Sequence, residues 1–242
     1  MMLKQGLVFM SDTRTNAGLD NISTFKKMKI WQVPGDRMFT LLSAGNLATT
    51  QSVISLLDER LKSPQDRAPA LYDTQSMFQA VQLVADTLRE VIAQQKDGGP
   101  EADNTFNATM IFGGQIAGHP PKMFLIYPEG NFIEANEDTP FFQIGEIKYG
   151  RPILVRAFRQ DMSFEEAIRL LLVSFDSTMK ANLTVGAPLD YLCFDSDLMR
   201  IAADGRFDSD DPALVSVSRD WGDALQTALE RLPEIELPLS ES

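Results

Sequence analysis

Apolar residues recur along this chain in two rhythms. Short apolar runs bounded by turn residues occupy 5–11, 27–33 and 37–44 and predict strands. Pro34, Gly35 and Asp36 are turn chemistry, so the last two runs form a hairpin. Helical spacing then takes over. NLATTQSVISLLDERLK (46–62) repeats Val53, Leu56, Leu57 and Leu61; TQSMFQAVQLVADTLREVIAQQK (74–96) repeats Phe78, Val81, Val84, Leu88 and Ile92. The Gly-, Pro- and Asp-rich KDGGPEADN ends that layer. Strands return in FNATMIFGG, KMFLIYP and NFIEA, the last two joined across Glu129-Gly130, and PFFQIG follows. A second helical pair reads KYGRPILVRAFRQ and SFEEAIRLLLVSFDSTMKANL. The latter opens on a capping box, Ser163 with Glu166, and carries the stripe Ile168, Leu171, Leu172, Phe175 and Met179. LDYLCFD and LMRIAADG read as a final hairpin. Asp211 as N-cap with Pro212 after it opens a last helix to about Leu232.

Runs of strands separated by helix pairs predict an α+β chain with antiparallel sheets covered by helices, not an alternating parallel fold. The expected arrangement is a four-layer αββα sandwich, one domain over 1–235 with a loose tail at 236–242. No repeat or low-complexity block interrupts it.

Composition narrows the function. A formal net charge of -12 and no basic stripe argue against nucleic acid. No run reaches the roughly 18 apolar residues of a membrane helix. The start has no long apolar segment of a signal peptide. Cys193 is the one cysteine, so no internal disulfide forms. The expectation is a cytoplasmic protein, in which the sequons at Asn21, Asn107 and Asn182 are chance matches.

Standard catalytic signatures are missing. The one histidine, His119, lies in the turn GHPPK and reads as exposed. One His and one Cys leave no metal site, and GGQIAGHP lacks the lysine and spacing of a nucleotide loop. Asp195, Asp197, Asp208, Asp210 and Asp211 do not follow calcium-loop spacing and read as solvated loop acids. Cys193, within an apolar strand, reads as a core residue. Catalysis, if present, must use Ser, Thr, Asp, Glu or Lys.

Read in order, GLVFMSDTRTNAG, STFKKMKIW, FTLLSAGN, TMIFGG, FLIYPEGNF, RQDMSFEEAIRLLLVSF and LDYLCFD resemble proteasome-type β subunits over nearly the whole chain. SDTRTNAGLDNISTFKKM is most similar to the bacterial Anbu branch of that family. Its members are N-terminal-nucleophile hydrolases, so the resemblance implies a threonine-type peptidase or amidohydrolase with no metal or organic cofactor. It also implies a peptide or protein substrate and a ring-like or lock-washer homo-oligomer packed through 46–62, 74–97 and 147–182. It names no unfoldase partner, and neither nucleic acid nor membrane is a partner.

In such chemistry the free α-amine takes the proton of the threonine hydroxyl. A lysine raises the local positive potential, an acid balances it, and a backbone N–H receives the oxyanion. By resemblance Asp12 is the acid, Lys27 the lysine with Lys26 as fallback, Gly45 the oxyanion glycine, and Ser43 a wall of the specificity pocket. Taken singly, Asp12 reads first as a turn cap, the lysines as an exposed pair and Gly45 as a strand-to-helix turn. Their shared order and spacing favour the functional reading.

Two departures qualify it. Where the family has a supporting Ser near Gly145 this chain has Glu146, and the rest of that cluster is replaced by Asn182 with Thr184 or Val185. The family's nucleophilic Thr falls about five residues before Met1. The expectation is therefore a truncated or misassigned start, and a polypeptide that folds and assembles but does not cleave. The rival expectation is a non-catalytic assembly or scaffold subunit; a third is an amidase with a non-peptide substrate.

Overall fold

The computed structural model describes residues 1–16, 22–63, 69–96 and 106–235. The linker at 97–104, the tail from 236 and the sequon at Asn21 lie outside the described residues. In chain order the strands are β1 (Met2–Leu3), β2 (Gly6–Asp12), β3 (Arg14–Asn16), β4 (Ile22–Thr24), β5 (Met28–Val33) and β6 (Arg37–Gly45), followed by helices α1 (Leu47–Lys62) and α2 (Met77–Lys96). Strands β7 (Ala108–Ile116), β8 (Lys122–Ile126) and β9 (Phe132–Glu134) precede α3 (Arg151–Ala157) and α4 (Phe164–Ala181). The described chain closes with β10 (Leu189–Asp195), β11 (Arg200–Phe207) and α5 (Pro212–Glu230).

Two antiparallel sheets, β1-β2-β10-β11 and β5-β6-β7-β8-β9, form the middle of the molecule. Three apolar clusters correspond to the three interfaces of the expected αββα order. Val53, Leu57, Val81 and Leu88 of α1 and α2 pack on Phe39, Leu41 and Phe112 of the five-stranded sheet. Leu7, Phe9, Leu192 and Phe194 meet Met38, Leu42 and Met123 between the sheets. Leu170, Leu171 and Leu172 of α4 cover Val8, Met10 and Cys193 on the outer face. In β2 successive side chains alternate between the last two clusters, so both faces are buried. That is why GLVFM reads as an unbroken apolar run.

Several local expectations needed revision. Phe78 is 56% exposed and does not join the core; it meets Phe132 of the edge strand β9 edge-on, with ring centroids 5.7 Å apart. The predicted helix at 148–160 is only Arg151–Ala157, because Pro152 fits the first turn alone and Phe158 turns extended. PFFQIG, for which the sequence predicts no element, forms none. The stripe on α4 is shifted: Leu170 is buried, while Ile168, Phe175 and Met179 are half-buried at its margin. The strand pair β3–β4 and the two-residue β1 were too short to stand out in the sequence.

Candidate active site

Asp12 closes β2 and Lys27 stands just before β5, in the other sheet. The β3–β4 hairpin joins them. Its pairing of Arg14 with Thr24 is extended by the Phe25 N–H, which donates to the Thr13 carbonyl at 2.7 Å. The chain thus doubles back beside Asp12, and Lys27 Nζ donates to Asp12 Oδ1 at 2.7 Å. Lys26 is exposed, so the first-choice lysine holds the contact and the fallback does not. The pair is largely withdrawn from water, with side chains 21% (Lys27) and 12% (Asp12) exposed. Beside it, Asp12 Oδ2 and Ser11 Oγ are buried with no hydrogen-bond partner among the described residues.

A cavity of about 580 Å³ opens over this pair. Asp12, Lys27, Ser43, Gly45, Glu146 and Thr184 all line it. Ser43 is a buried residue of β6. Gly45 ends that strand at φ +113, and a methyl group there would run into the Asn107 carbonyl. Only glycine meets both demands. Asn46 next to it caps α1, its side chain accepting from the Thr49 N–H at 3.0 Å. The turn that exposes the Gly45 backbone is thereby tied to the helix behind it.

The proteasome subunit family matches residues 1–188. The chain superimposes on Anbu (ancestral beta-subunit) from Yersinia bercovieri with TM-score 0.90, 43% identity and 98% of each chain covered. Anbu from Hyphomicrobium sp. strain MC1 gives 0.89, 47% identity and 97% of each chain. The helical assembly of the Anbu complex from Pseudomonas aeruginosa gives 0.89 and 47%, covering 98% of this chain and 96% of the other. A search of curated proteins found no match. The chain belongs to the proteasome subunit family, in its Anbu branch.

In this proteasome-family chain Glu146, Asn182 and Thr184 form a network of their own at the cavity rim. Asn182 Nδ2 donates to Glu146 Oε2 at 2.9 Å, and the Lys148 N–H donates to Glu146 Oε1 at 2.8 Å. These two donors, the backbone N–H first, hold the Glu146 carboxyl below its ordinary range. Asn182 Oδ1 also accepts from the N–H and hydroxyl of Thr184 at 2.9 and 2.7 Å. Asn182 therefore stands behind the cavity wall as the link between the 146 and 184 loops.

Sequence reasoning missed Arg14. Its guanidinium donates to the Leu183 carbonyl at 2.8 Å and lies against Gly186, pinning the 183–186 loop to the cavity edge. Its position two residues after Asp12 was visible, but the loop it holds lies far along the chain. Ser174 and Thr178, a helical turn apart on α4, also reach the cavity. They were hidden because the apolar stripe drew attention to the neighbouring face.

Among the described residues no cluster of three potential metal ligands occurs, and no helix is long and apolar enough to cross a membrane.

Proposed function

We propose that the cavity is the site of a threonine-type amidohydrolase that cleaves peptides. The observation that carries this reading is the ion pair of Lys27 with Asp12, closed on the same cavity as the side-chain-free turn at Gly45. The register of β1 on β2 supports it. Met2 pairs with Leu7 and Leu3 with Gly6, so each step back along β1 is a step forward along β2. A residue five places before Met1 in that register falls opposite Thr13, beside the Asp12–Lys27 pair. This is where the mechanism requires a threonine with a free α-amine.

From there the steps follow from the groups at hand. The amine takes the hydroxyl proton while the oxygen adds to the scissile carbonyl. Lys27 keeps the surroundings positive, favouring the neutral amine and the forming alkoxide, and Asp12 fixes its ammonium. The oxyanion is received by the Gly45 N–H. Collapse breaks the C–N bond, the leaving amine takes the proton, and an ester remains. Water, deprotonated by the same amine, adds to that ester and frees the acid and the hydroxyl. Ser43 shapes the pocket for the residue before the cut. The unit works as a homo-oligomer, a reading supported by the helical assembly of the Pseudomonas aeruginosa relative, and we place it in the cytoplasm.

The Glu146–Asn182 network supports a second reading, a non-catalytic assembly subunit, because an acid and an amide stand where the family's supporting serine and aspartate are expected. Replacing Lys27 with Ala, in protein whose first residue is Thr in the stated register, separates the two. Loss of peptide cleavage with assembly intact supports the enzyme. Assembly without cleavage before the substitution supports the scaffold.

A further inference from the structure

α5 leaves the body of the molecule partway along its length. Its first turns are anchored: Leu214 is buried and Val217 packs on the outer apolar cluster. From Asp223 to Ile235 every residue is exposed. The apolar pattern does not stop where burial does. Val215, Leu225, Leu229 and Leu232 are 50–70% exposed. With Ser218 and Gly222 they follow one another at alternating intervals of three and four residues, which draws a single seam along a helix. This is the spacing by which two helices pack knob into hole. No charge interrupts the seam, since Arg219, Asp220, Asp223 and Glu230 all fall off it. Small and large residues are segregated along it, Ser218 and Gly222 first, Leu225 and Leu229 after. A methyl group at Gly222 would meet nothing within 4 Å beyond its own helical turns, so the seam is open there.

We propose that this seam pairs antiparallel with the same seam of a second copy of this chain, about a two-fold axis between residues 223 and 224. In that register Leu225 stands opposite the partner's Gly222, Leu229 opposite the partner's Ser218, and Leu232 opposite the partner's Val215. Symmetry repeats each pair, so all four exposed apolar residues are covered. A parallel pairing would set Ser218 and Gly222 against their own copies, two adjacent layers with nothing to fill them. Charge agrees with the antiparallel choice. Arg219 and the partner's Glu230 share one flank, offset by two positions or about 3 Å along the axis. Opposite charges therefore meet twice, and the two helix dipoles oppose. An interface made by one patch on both copies closes on itself and yields a dimer, not an open chain. The seam lies outside the cavity and outside the helical stretches 46–62, 74–97 and 147–182. It holds whether or not the cavity cleaves peptides.

The test uses the whole 242-residue chain. Sedimentation velocity across a dilution series should show a pairing step that the double variant Leu225→Glu with Leu229→Glu weakens at least tenfold. Gly222→Leu should weaken it as much without lowering the unfolding midpoint of the dilute protein, because glycine is a poor helix former and has no neighbour there in its own fold. A residue with only a structural role would lose stability and association together. Placement is read from cysteines: Gly222→Cys chains mixed with Leu225→Cys chains should oxidise to a dimer holding one of each, while Asp220→Cys with Asp223→Cys, off the seam, should give none. The proposal is overturned if both seam variants associate as the parent does, or if the off-seam cysteines link as readily. It is overturned too if the charged variant dissociates but the mixed cysteine chains trap no dimer, which would put a different surface opposite α5.

Discussion

Replacing Lys27 with Ala leaves Asp12 with no paired cation among the described residues. Removing one member of a fully buried ion pair costs about 3–5 kcal/mol, because the surviving charge stays desolvated. Here the side chains are 21% and 12% exposed, so water recovers part of that loss. The other oxygen, Oδ2, has no partner to compensate. The expected loss is therefore about 2–3 kcal/mol, lower than for full burial but far above an exposed pair. In urea melts this appears as a lower midpoint with an unchanged slope. In the double variant Asp12→Asn with Lys27→Met no unpaired charge remains, so stability should return to within about 1 kcal/mol of the parent. The reasoning is refuted if Lys27→Ala costs less than about 0.5 kcal/mol, or if the double variant loses the sum of the two single losses.

Three further outcomes are expected. Gly45→Ala should cost about 1–3 kcal/mol of stability, because φ +113 disfavours any side chain and the new methyl meets the Asn107 carbonyl; equilibrium unfolding checks it. Burial lowers the Met1 α-amine from its ordinary value near 8 to about 5. The unfolded chain then binds the extra proton between those values, so the chain that begins at Met1 should gain up to about 4 kcal/mol from pH 5 to pH 8; melts of the N-acetylated chain, which lacks that group, should not show this gain. Because the Glu146 carboxyl is held below its ordinary range by the Lys148 N–H and the Asn182 amide, the bond it makes persists at neutral pH and is lost as pH falls through the lowered value. The Lys148 amide resonance should follow that titration, and Glu146→Gln should abolish it.

Layer order was legible because it rests on long patterns. The stripes of α1 and α2 bury as their spacing demands, Val53 and Leu57 against Val81 and Leu88. Asp12, Lys27 and Gly45 were legible only through family order, since each alone has an ordinary local role; the contact of Lys27 with Asp12 needs the β3–β4 hairpin, whose two three-residue strands carry no periodic signal. Arg14 and the 183–186 loop were illegible for the same reason: a guanidinium reaching carbonyls more than 160 residues away leaves no local pattern. Phe78 misled because helical spacing gives the apolar face but not where the sheet beneath it stops.

The most direct test of the central claim is peptide cleavage by chains that begin with Thr five residues before Met1, and with Thr one place earlier or later. The account predicts cleavage, with an acyl ester trapped on that threonine by mass spectrometry, in the first register alone, and its loss on Lys27→Ala. Cleavage independent of the register, or none in any register from a folded and assembled protein, would contradict it.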